Sequence, residues 1–257
     1  MTPPDLGHVV PLVIVGLSAG FLSGIVGMGG ALLLVPALAF VAGMPFKLAT
    51  GTASLHGLAV GTSGYLVHGR YGAVDGRVGL IGGAGSVIGG FVGAAISGVL
   101  DAAGVKSIYL AAALLSLVLL LVQAEVHPAR QPRRVPRADA RAAALGALAG
   151  VVAGIVGAGG AFVLIPLSRW ALRMPIHRAI GTSMLVSIFT AISATAGKAL
   201  LGQVPWTQAA LVVTGSALGT HAGARLAHRI PARPLRGLLI AILIILLART
   251  LADLLQG

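Results

Sequence analysis

The sequence predicts an all-α, polytopic membrane protein built from two homologous halves, and three observations carry this prediction. Hydrophobic residues make up 57% of the 257 residues and charged residues only 9%, whereas about a quarter of the residues in a soluble domain are charged. Apolar runs of roughly 20 residues, the length that crosses a bilayer as a helix, cover nearly the whole chain. The two halves also align without gaps when the sequence is shifted by 130 residues.

The internal repeat is clearest in a glycine-rich motif. The segment GIVGMGGA at residues 24–31 aligns with GIVGAGGA at residues 154–161, and Pro36 aligns with Pro166. Duplicated halves are typical of secondary transporters. We therefore divide the chain into a first membrane repeat, a basic linker rich in Pro and Arg, and a second membrane repeat, at residues 1–126, 127–141 and 142–257.

Each half contains four apolar runs, and the first run of each half is interrupted. Residues 9–42 are too long for one ordinary span and too short for two. Because glycine relaxes a helix and Pro36 follows, we expect two half-helices that meet at an unwound turn, as in a re-entrant hairpin. The counterpart in the second half is residues 142–172. The other runs are residues 49–67, 78–100, 107–124, 179–200, 207–227 and 235–255.

The distribution of the 18 lysines and arginines favours a topology in which the first run of each half turns back. If all eight runs crossed the membrane, nine basic residues would lie on each side. If the first runs turn back, one side holds only Lys47, Lys106, Lys198 and Arg249, and the other holds the remaining 14. Basic residues concentrate on the cytoplasmic side. This arrangement predicts inverted repeats, a cytoplasmic linker and termini outside.

Composition argues against several other classes of function. The absence of cysteine removes disulfides, thiol catalysis and cysteine metal sites. The net charge of +12 is better explained by membrane orientation than by nucleic acid, because only 4% of the residues are aromatic and could stack on bases. The seven histidines do not pair with carboxylates at metal-ligand spacing. No metal, cofactor or enzymatic activity is predicted.

The glycine motifs do not match a dinucleotide-binding fingerprint, because GMG at residues 27–29 lacks the third glycine at its required position. An unwound turn inside a membrane instead leaves N–H groups unpaired at the start of the next helix, and such ends attract anions. We expect the inverted repeats to bring both turns to one central substrate site. Its predicted glycines are Gly27, Gly29, Gly30, Gly157, Gly159 and Gly160.

The alternative interpretation is that these glycines only allow helices to pack closely. We favour packing for a second glycine series, Gly85, Gly89 and Gly93, which has the small-xxx-small spacing.

The paired GIVGxGGAxxLxP motif, the Met-Pro step and the following Gly-Thr resemble the TauE/SafE family of sulfite exporters and related anion permeases. The resemblance covers nearly the whole chain, and it implies transport of small sulfur-containing or organic anions, such as sulfite or sulfonates, across a bacterial inner membrane. It does not imply one substrate. The family motif matches at Gly24, Gly27, Gly29, Gly30 and Pro36, and at Gly154, Gly157, Gly159, Gly160 and Pro166.

Hydroxyl groups follow the interrupted run in both halves. They can donate hydrogen bonds to an oxyanion without a buried charge, and their alternative role is helix capping or bonding back to a carbonyl. The predicted substrate-binding hydroxyls are Thr50, Thr52, Ser54, Thr182 and Ser183.

Basic residues stand at equivalent places after the two Met-Pro steps. Lys47 and His177, with Arg178 beside the latter, could draw anions to the two mouths of a pathway, although we favour extension of these side chains to the interface. We expect Lys198, near the end of its run, to extend outward.

Two histidines lie within apolar runs, where an ionisable group is costly and often functional. His56 and His221 are candidates for proton coupling, because the histidine pKa lies near neutrality. Neither has a histidine at the aligned position in the other half.

Other classes of protein remain open at this stage. An intramembrane serine protease could use Ser63 of the GTSG segment as nucleophile and His221 as base. An anion channel is a further alternative, and a purely structural role leaves the duplicated breaks without a reason. The leading prediction is a transporter whose partners are a small anion and the lipid bilayer, with a homo-oligomer left open.

Overall fold

The structure is a computed structural model that describes residues 6–27, 31–122, 137–157 and 160–256. Within these ranges all regular secondary structure is α-helix, which confirms the all-α prediction. The ten helices of the described residues are α1 (Leu6–Val26), α2 (Ala31–Val41), α3 (Phe46–Arg70), α4 (Gly76–Val99), α5 (Ala102–Val122), α6 (Ala138–Val156), α7 (Ala161–Leu172), α8 (Ile176–Leu200), α9 (Trp206–Ala227) and α10 (Ala232–Gln256).

Five helices of the described residues are long and apolar enough to cross a membrane, judged by length and composition. Large apolar side chains also cover the outer surface, and Ile88 and Leu218 are each more than 60% exposed. Both properties suit a protein surrounded by lipid. The five candidate spans are Val9–Val26, Gly76–Val99, Ala102–Leu119, Ala138–Val156 and Ile176–Leu200.

The first apolar run of each half is broken at the predicted glycines. α1 ends at Val26 and α6 ends at Val156, and the glycines that follow, Gly27 and Gly157, both have φ of +77°. This left-handed backbone conformation suits glycine, which has no Cβ. Residues 28–30 and 158–159, which include the predicted Gly29, Gly30 and Gly159, lie outside the described residues.

The helices on the two sides of each break differ in length. α1 and α6 contain 21 and 19 residues, whereas α2 and α7 contain 11 and 12. At 1.5 Å per residue, α1 and α6 are about 30 Å long and match the thickness of a bilayer core. The expectation of two half-helices is therefore wrong for the first member of each pair. The glycine break follows an apolar segment that is already long enough to span.

Two helix pairs pack with their backbones in direct contact. A Cβ added at Gly16, Gly20 or Gly24 of α1 would lie 2.2–2.4 Å from a backbone oxygen of α9. The oxygens belong to residues 212, 216 and 220, so the numbers rise together and the two helices are parallel. Glycines 146, 150 and 154 of α6 meet α4 at residues 82, 86 and 90 in the same way. Each of these α6 glycines lies 130 positions after its counterpart in α1, and each contacted residue of α4 lies 130 positions before its counterpart in α9.

The second glycine series also serves this packing. A Cβ at Gly85, Gly89 or Gly93 of α4 would lie 2.1–2.3 Å from a backbone oxygen of α6. Only glycine fits such a distance, because real Cβ atoms do not approach backbone oxygens so closely. The prediction of a packing role for these three residues is confirmed.

α3 and α8 form the antiparallel centre of the molecule. The start of α3 meets the end of α8, where the Nζ atom of Lys198 lies 3.0 Å from Oγ1 of Thr50. The end of α3 meets the start of α8, where a Cβ at Gly181 would lie 3.1 Å from Cβ of His68. We call these two regions the Lys198 end and the His68 end of the α3–α8 pair.

Candidate functional site

The two glycine breaks lie at opposite ends of the α3–α8 pair. A Cβ at Gly157 would lie 2.0 Å from the carbonyl oxygen of Thr50, at the Lys198 end, and a Cβ at Gly27 would lie 2.4 Å from Cγ2 of Ile180, at the His68 end. Thr50 and His68 are 18 residues apart on one helix, which corresponds to about 27 Å. The single central site expected for Gly27 and Gly157 is therefore corrected to two separate locations, because α1 and α6 each run nearly the full length of the bundle before they break.

At the Lys198 end, four helices and a turn surround one basic side chain. Lys198 is fully buried, and its Nζ atom donates hydrogen bonds to Oγ1 of Thr50 and Oγ of Ser97, both at 3.0 Å. It also lies 3.3 Å from the carbonyl oxygen of Ile155, in the last turn of α6, and 3.4 Å from Oε1 of Gln203. The glycine break of the second half therefore adjoins a buried lysine. The expectation that Lys198 extends outward is wrong.

The charge of Lys198 has no carboxylate partner among the described residues, where the one ion pair joins Arg77 and Asp139. Lys47 adds a charge of the same sign. An ionised group that is removed from water requires a charge of opposite sign or a complete set of hydrogen bonds. The hydrogen-bond partners of Lys198 are in place, and a bound anion would supply the opposite charge.

Two further donors stand beside the lysine. The hydroxyl of Thr50 donates to the carbonyl oxygen of Lys47 at 2.8 Å, so its proton is already used. Ser97 accepts from Lys198, and its own hydroxyl proton has no acceptor among the described residues. The amide nitrogen of Gln203 is a further donor, with the amide oriented by its contact to Lys198. The ammonium of Lys198, the hydroxyl of Ser97 and the amide oxygen of Gln203 thus meet at one buried point.

The other first-half hydroxyls make local hydrogen bonds. Ser54 donates to the carbonyl oxygen of Thr50 at 3.0 Å, and Thr52 donates to Sδ of Met44 at 3.6 Å. Ser54 and Thr50 bond back to a carbonyl one turn earlier, which was the alternative interpretation of these residues. Of the three, only Thr50 contacts Lys198.

The second-half hydroxyls lie at the His68 end. Ser183 donates to the carbonyl oxygen of Ile180 at 2.7 Å and lies 3.3 Å from that of Gly27. Thr182 accepts a hydrogen bond of 2.9 Å from the backbone N–H of Asp75 and so holds the turn between α3 and α4. The structure places Ser183 at a glycine break and gives Thr182 a contact with the loop.

The two histidines proposed for proton coupling have different surroundings. His56 is fully buried; its Nδ1 atom lies 2.5 Å from Oγ of Ser216, and its Nε2 atom has no hydrogen-bond partner in the described residues. His221 is half-buried. No described hydrogen bond joins His221 to Ser63, so the arrangement of a serine protease is not favoured.

A cluster of rings occupies the His68 end. His68 is fully buried, and its ring centroid lies 4.8 Å from that of His228. His228 stacks on Tyr71 at 4.0 Å and lies 6.3 Å from the ring of His177. Nε2 of His177 is 3.2 Å from the carbonyl oxygen of Ile230. We call His68, Tyr71, His177 and His228 the histidine cluster.

Sequence reasoning singled out some of these residues and missed others. His177 was named for its position after a Met-Pro step and Thr50 for its place in a cluster of hydroxyls, whereas Ser97, Gln203 and His68 were not named. Alignment of the two halves could have pointed to His68, because positions 68 and 198 are separated by the 130-residue shift and both carry basic side chains. Lys47 and Arg178, the other predicted basic residues, are half-buried.

The helices and this buried polar centre define a polytopic helical membrane protein. The chain belongs to the sulfite exporter TauE/SafE family, which matches residues 12–250, and is thus a membrane transporter of that family. It is 30% identical over 215 residues to a probable membrane transporter protein of Xylella fastidiosa (strain 9a5c), covering 83% of this chain and 82% of that one.

A second relative, the probable membrane transporter protein YunE of Bacillus subtilis (strain 168), is 24% identical over 259 residues, or 92% of this chain and 95% of YunE. No solved structure matches the chain. The predicted family membership is confirmed. The identity of the substrate is inferred from the residues of the site.

Proposed function

We propose that the protein transports a small oxyanion of the sulfite or organosulfonate class across the inner membrane and that Lys198 binds this anion. The observation that carries the proposal is the fully buried Lys198, which has polar partners and no carboxylate among the described residues. The family name, sulfite exporter, supports a sulfur oxyanion as substrate.

The donors at the Lys198 end suit an anion with three oxygens. Sulfite and sulfonates present three oxygen acceptors around one sulfur. We propose that the Lys198 ammonium exchanges one of its protein acceptors for the anion, and that the Ser97 hydroxyl and the Gln203 amide supply the other donors. Hydrogen bonds to a charged group are about twice as strong as those between neutral groups. We propose that Thr50 holds the lysine in position through its 3.0 Å contact.

The glycine turns contribute to binding in this proposal. Gly157 and Gly160 begin and end the turn between α6 and α7 next to Ile155, and both have positive φ. Free N–H groups at such a turn favour negative charge. We extend the same role to Gly159 by its place in the motif, and to Gly27, Gly29 and Gly30 at the other break.

We propose an inverted-repeat topology, which the helix directions support. α1, α3 and α9 run in one direction, and α4, α6 and α8 run in the other, because α1 and α9 are parallel, α4 and α6 are parallel, and short turns reverse the chain between neighbours. Both termini then lie at the Lys198 end and the linker lies at the His68 end. The side with 14 basic residues is that of the linker, which makes the linker cytoplasmic.

Proton coupling is part of the proposal at His56. Its Nε2 atom is buried without a described partner, deep in α3, so a proton on this atom would change the charge of the interior. His221, half-buried on α9, is the weaker of the two candidates.

The proposal is tested by uptake of radiolabelled sulfite into liposomes that contain the purified protein. We expect saturable uptake, competed by sulfonates more than by carboxylates, and a loss of at least tenfold in Lys198→Met, because a hydrogen bond to a charged group contributes about 1.5–3 kcal/mol. Lys106→Met is the matched control, since Lys106 lies near the ring of Phe46 and outside the site, and it is expected to change uptake less than twofold.

Normal uptake by Lys198→Met would show that the site is elsewhere. A flux that does not saturate would indicate a channel that uses the same residues.

Topology is tested separately by labelling Gln131→Cys with a membrane-impermeant thiol reagent. The chain has no cysteine, so the label reports this position alone. We expect labelling only after the cells are opened. Labelling of intact cells from outside would place the linker on the outer side and contradict the proposed orientation.

A further inference from the structure

We infer that the histidine cluster is a second binding site for the same class of oxyanion, at the end of the molecule opposite Lys198, and that it binds the anion together with a proton. The inference rests on the proposed function for the chemical class of the anion. The inference adds a second binding location and identifies the histidines as the groups that take up the proton.

The two ends of the α3–α8 pair carry basic side chains at equivalent positions. His68 stands 130 residues before Lys198, and His177 stands 130 residues after Lys47. Lys198 and His68 each lie beside a glycine break. Lys198 contacts the carbonyl oxygen of Ile155 in the last turn of α6, and the backbone of Gly24, in the last turn of α1, faces the ring of His68. The same scaffold thus presents a lysine at one end and a histidine at the other.

The ring nitrogens of the histidine cluster are buried with few partners. Neither ring nitrogen of His68 nor Nε2 of His228 has a partner at hydrogen-bond geometry among the described residues, and the backbone of Gly24 is the polar group near the His68 ring. Buried polar atoms in proteins are paired in roughly nine cases out of ten. The histidine cluster therefore has free donors and acceptors where a ligand or water completes the set, whereas Nζ of Lys198 already has protein partners.

The charges around the histidine cluster are those of its own rings. His177 on α8 and His228 at the end of α9 act on His68, Tyr71 follows α3, and the backbone of Gly24 on α1 lies near the His68 ring. The nearest carboxylate in sequence, Asp75, accepts a hydrogen bond of 3.1 Å from the N–H of Val78 and caps α4. Three histidines thus stand together with no described carboxylate among them. Once protonated, they attract an anion.

The protonation state links this site to pH. Burial, and then the charge of His177, lowers the pKa of His228, which lies beyond the end of α9, so the protein by itself favours the neutral ring of His228. An anion beside the rings has the opposite effect, because a negative charge favours the protonated imidazole. Binding therefore takes up a proton, and affinity rises as the pH falls through the range in which histidine titrates.

The experiment measures binding of methanesulfonate, whose charge does not change between pH 5.5 and 7.5, to the purified full chain by isothermal titration calorimetry. Two buffers with different heats of ionisation give the number of protons taken up. In Lys198→Met, where the first site is removed, we expect binding at least fivefold tighter at pH 5.5 than at pH 7.5, with proton uptake. Adding His68→Gln is expected to abolish it.

Replacing the titratable histidine with lysine tests the same site without removing its positive charge. His68→Lys, made in the Lys198→Met chain, is expected to bind equally well at both pH values and without proton uptake. His127→Gln, in the linker, is the matched control for the loss of one histidine and is expected to leave binding unchanged. His228→Gln is the second variant should His68→Gln fail to give a folded protein by circular dichroism and gel filtration.

The inference is overturned if Lys198→Met binds no anion at either pH, or if its binding is unaffected by pH, by His68→Gln and by His228→Gln. Loss of all binding in Lys198→Met would overturn this inference while agreeing with the proposed function. Unchanged sulfite uptake by Lys198→Met would instead contradict the proposed function, so the two failures are distinguishable.

Discussion

The two ends of the α3–α8 pair share a scaffold but differ in chemistry. At the Lys198 end, one buried cation has four polar atoms within 3.4 Å. At the His68 end, the equivalent residue is a buried histidine whose ring nitrogens have no described partner. Similar helix arrangements thus hold a buried lysine with protein partners at one end and a buried histidine cluster at the other.

The two ends also differ in what the glycine break touches. The neighbour of Gly157 is the backbone of Thr50, and the neighbour of Gly27 is the side chain of Ile180. A backbone oxygen can move only with its helix, whereas a side chain can be shortened or can rotate. We therefore expect the Lys198 end to tolerate substitution less well than the His68 end.

The largest expected effect is on protein stability, and it concerns the glycines at the two breaks. Both Gly27→Ala and Gly157→Ala place a Cβ at φ of +77°, which costs about 1–3 kcal/mol. Gly157→Ala adds a clash with a backbone oxygen and is expected to prevent folding. Gly27→Ala is expected to fold with a lowered thermal midpoint, measured in detergent by tryptophan fluorescence.

A double-mutant cycle supplies the control for these glycines. In the Gly27→Ala chain, Ile180→Ala is expected to cost less than it does alone, because it removes the atoms that the new Cβ meets. Strict additivity of the two changes, or equal stability of Gly27→Ala and Gly157→Ala, would contradict the proposed difference between the ends.

A smaller effect concerns one donor at the Lys198 end. Ser97→Ala removes a hydroxyl that accepts from Lys198, and the loss of about 1 kcal/mol corresponds to roughly a fivefold rise in the KM for sulfite. Ser116→Ala is the matched control, because Ser116 is also buried but donates to the carbonyl oxygen of Ala112 at 2.8 Å. An equal effect of the two variants would remove Ser97 from the site.

The smallest expected effect compares the two parallel helix pairs. α4 and α6 are joined by an exposed ion pair, in which Nε of Arg77 donates to Oδ1 of Asp139 at 3.0 Å, whereas the aligned positions in α9 and α1 are Thr207 and Val9. Exposed ion pairs contribute little to stability. Arg77→Gln is expected to leave the thermal midpoint and sulfite uptake within experimental error. A clear fall in either would show that the ion pair stabilises this helix pair.

Sequence reasoning succeeded where the controlling property is local. The apolar runs predicted helices, and the glycine motifs predicted breaks that the structure places after Val26 and Val156. The spacing of the second glycine series predicted close packing, which the contacts of Gly89 with α6 confirm. It failed for the lengths of the segments around each break, because the run of residues 9–42 carries no signal for where one helix reaches full length.

The candidate site was less accessible to sequence reasoning because its members are far apart in the chain. Thr50, Ser97 and Ile155 are separated from Lys198 by 148, 101 and 43 positions. A lysine near the end of an apolar run can extend to the interface or turn inward, and only the surrounding helices decide between the two. The role of the hydroxyls in substrate binding stays a prediction, and the contacts of Thr182 and Ser54 depend on a loop and on a turn of helix.

The sequence by itself determined the class of this protein, its family and the positions of its breaks, because hydropathy, the repeated motif and the backbone freedom of glycine are properties of short segments. Only the tertiary structure decided that the breaks lie at opposite ends and that Lys198 and His68 occupy them. The physical reason is the antiparallel packing of α3 on α8, which brings the start of each helix to the end of the other. That packing, and not the spacing of residues along the chain, separates the two ends of the molecule.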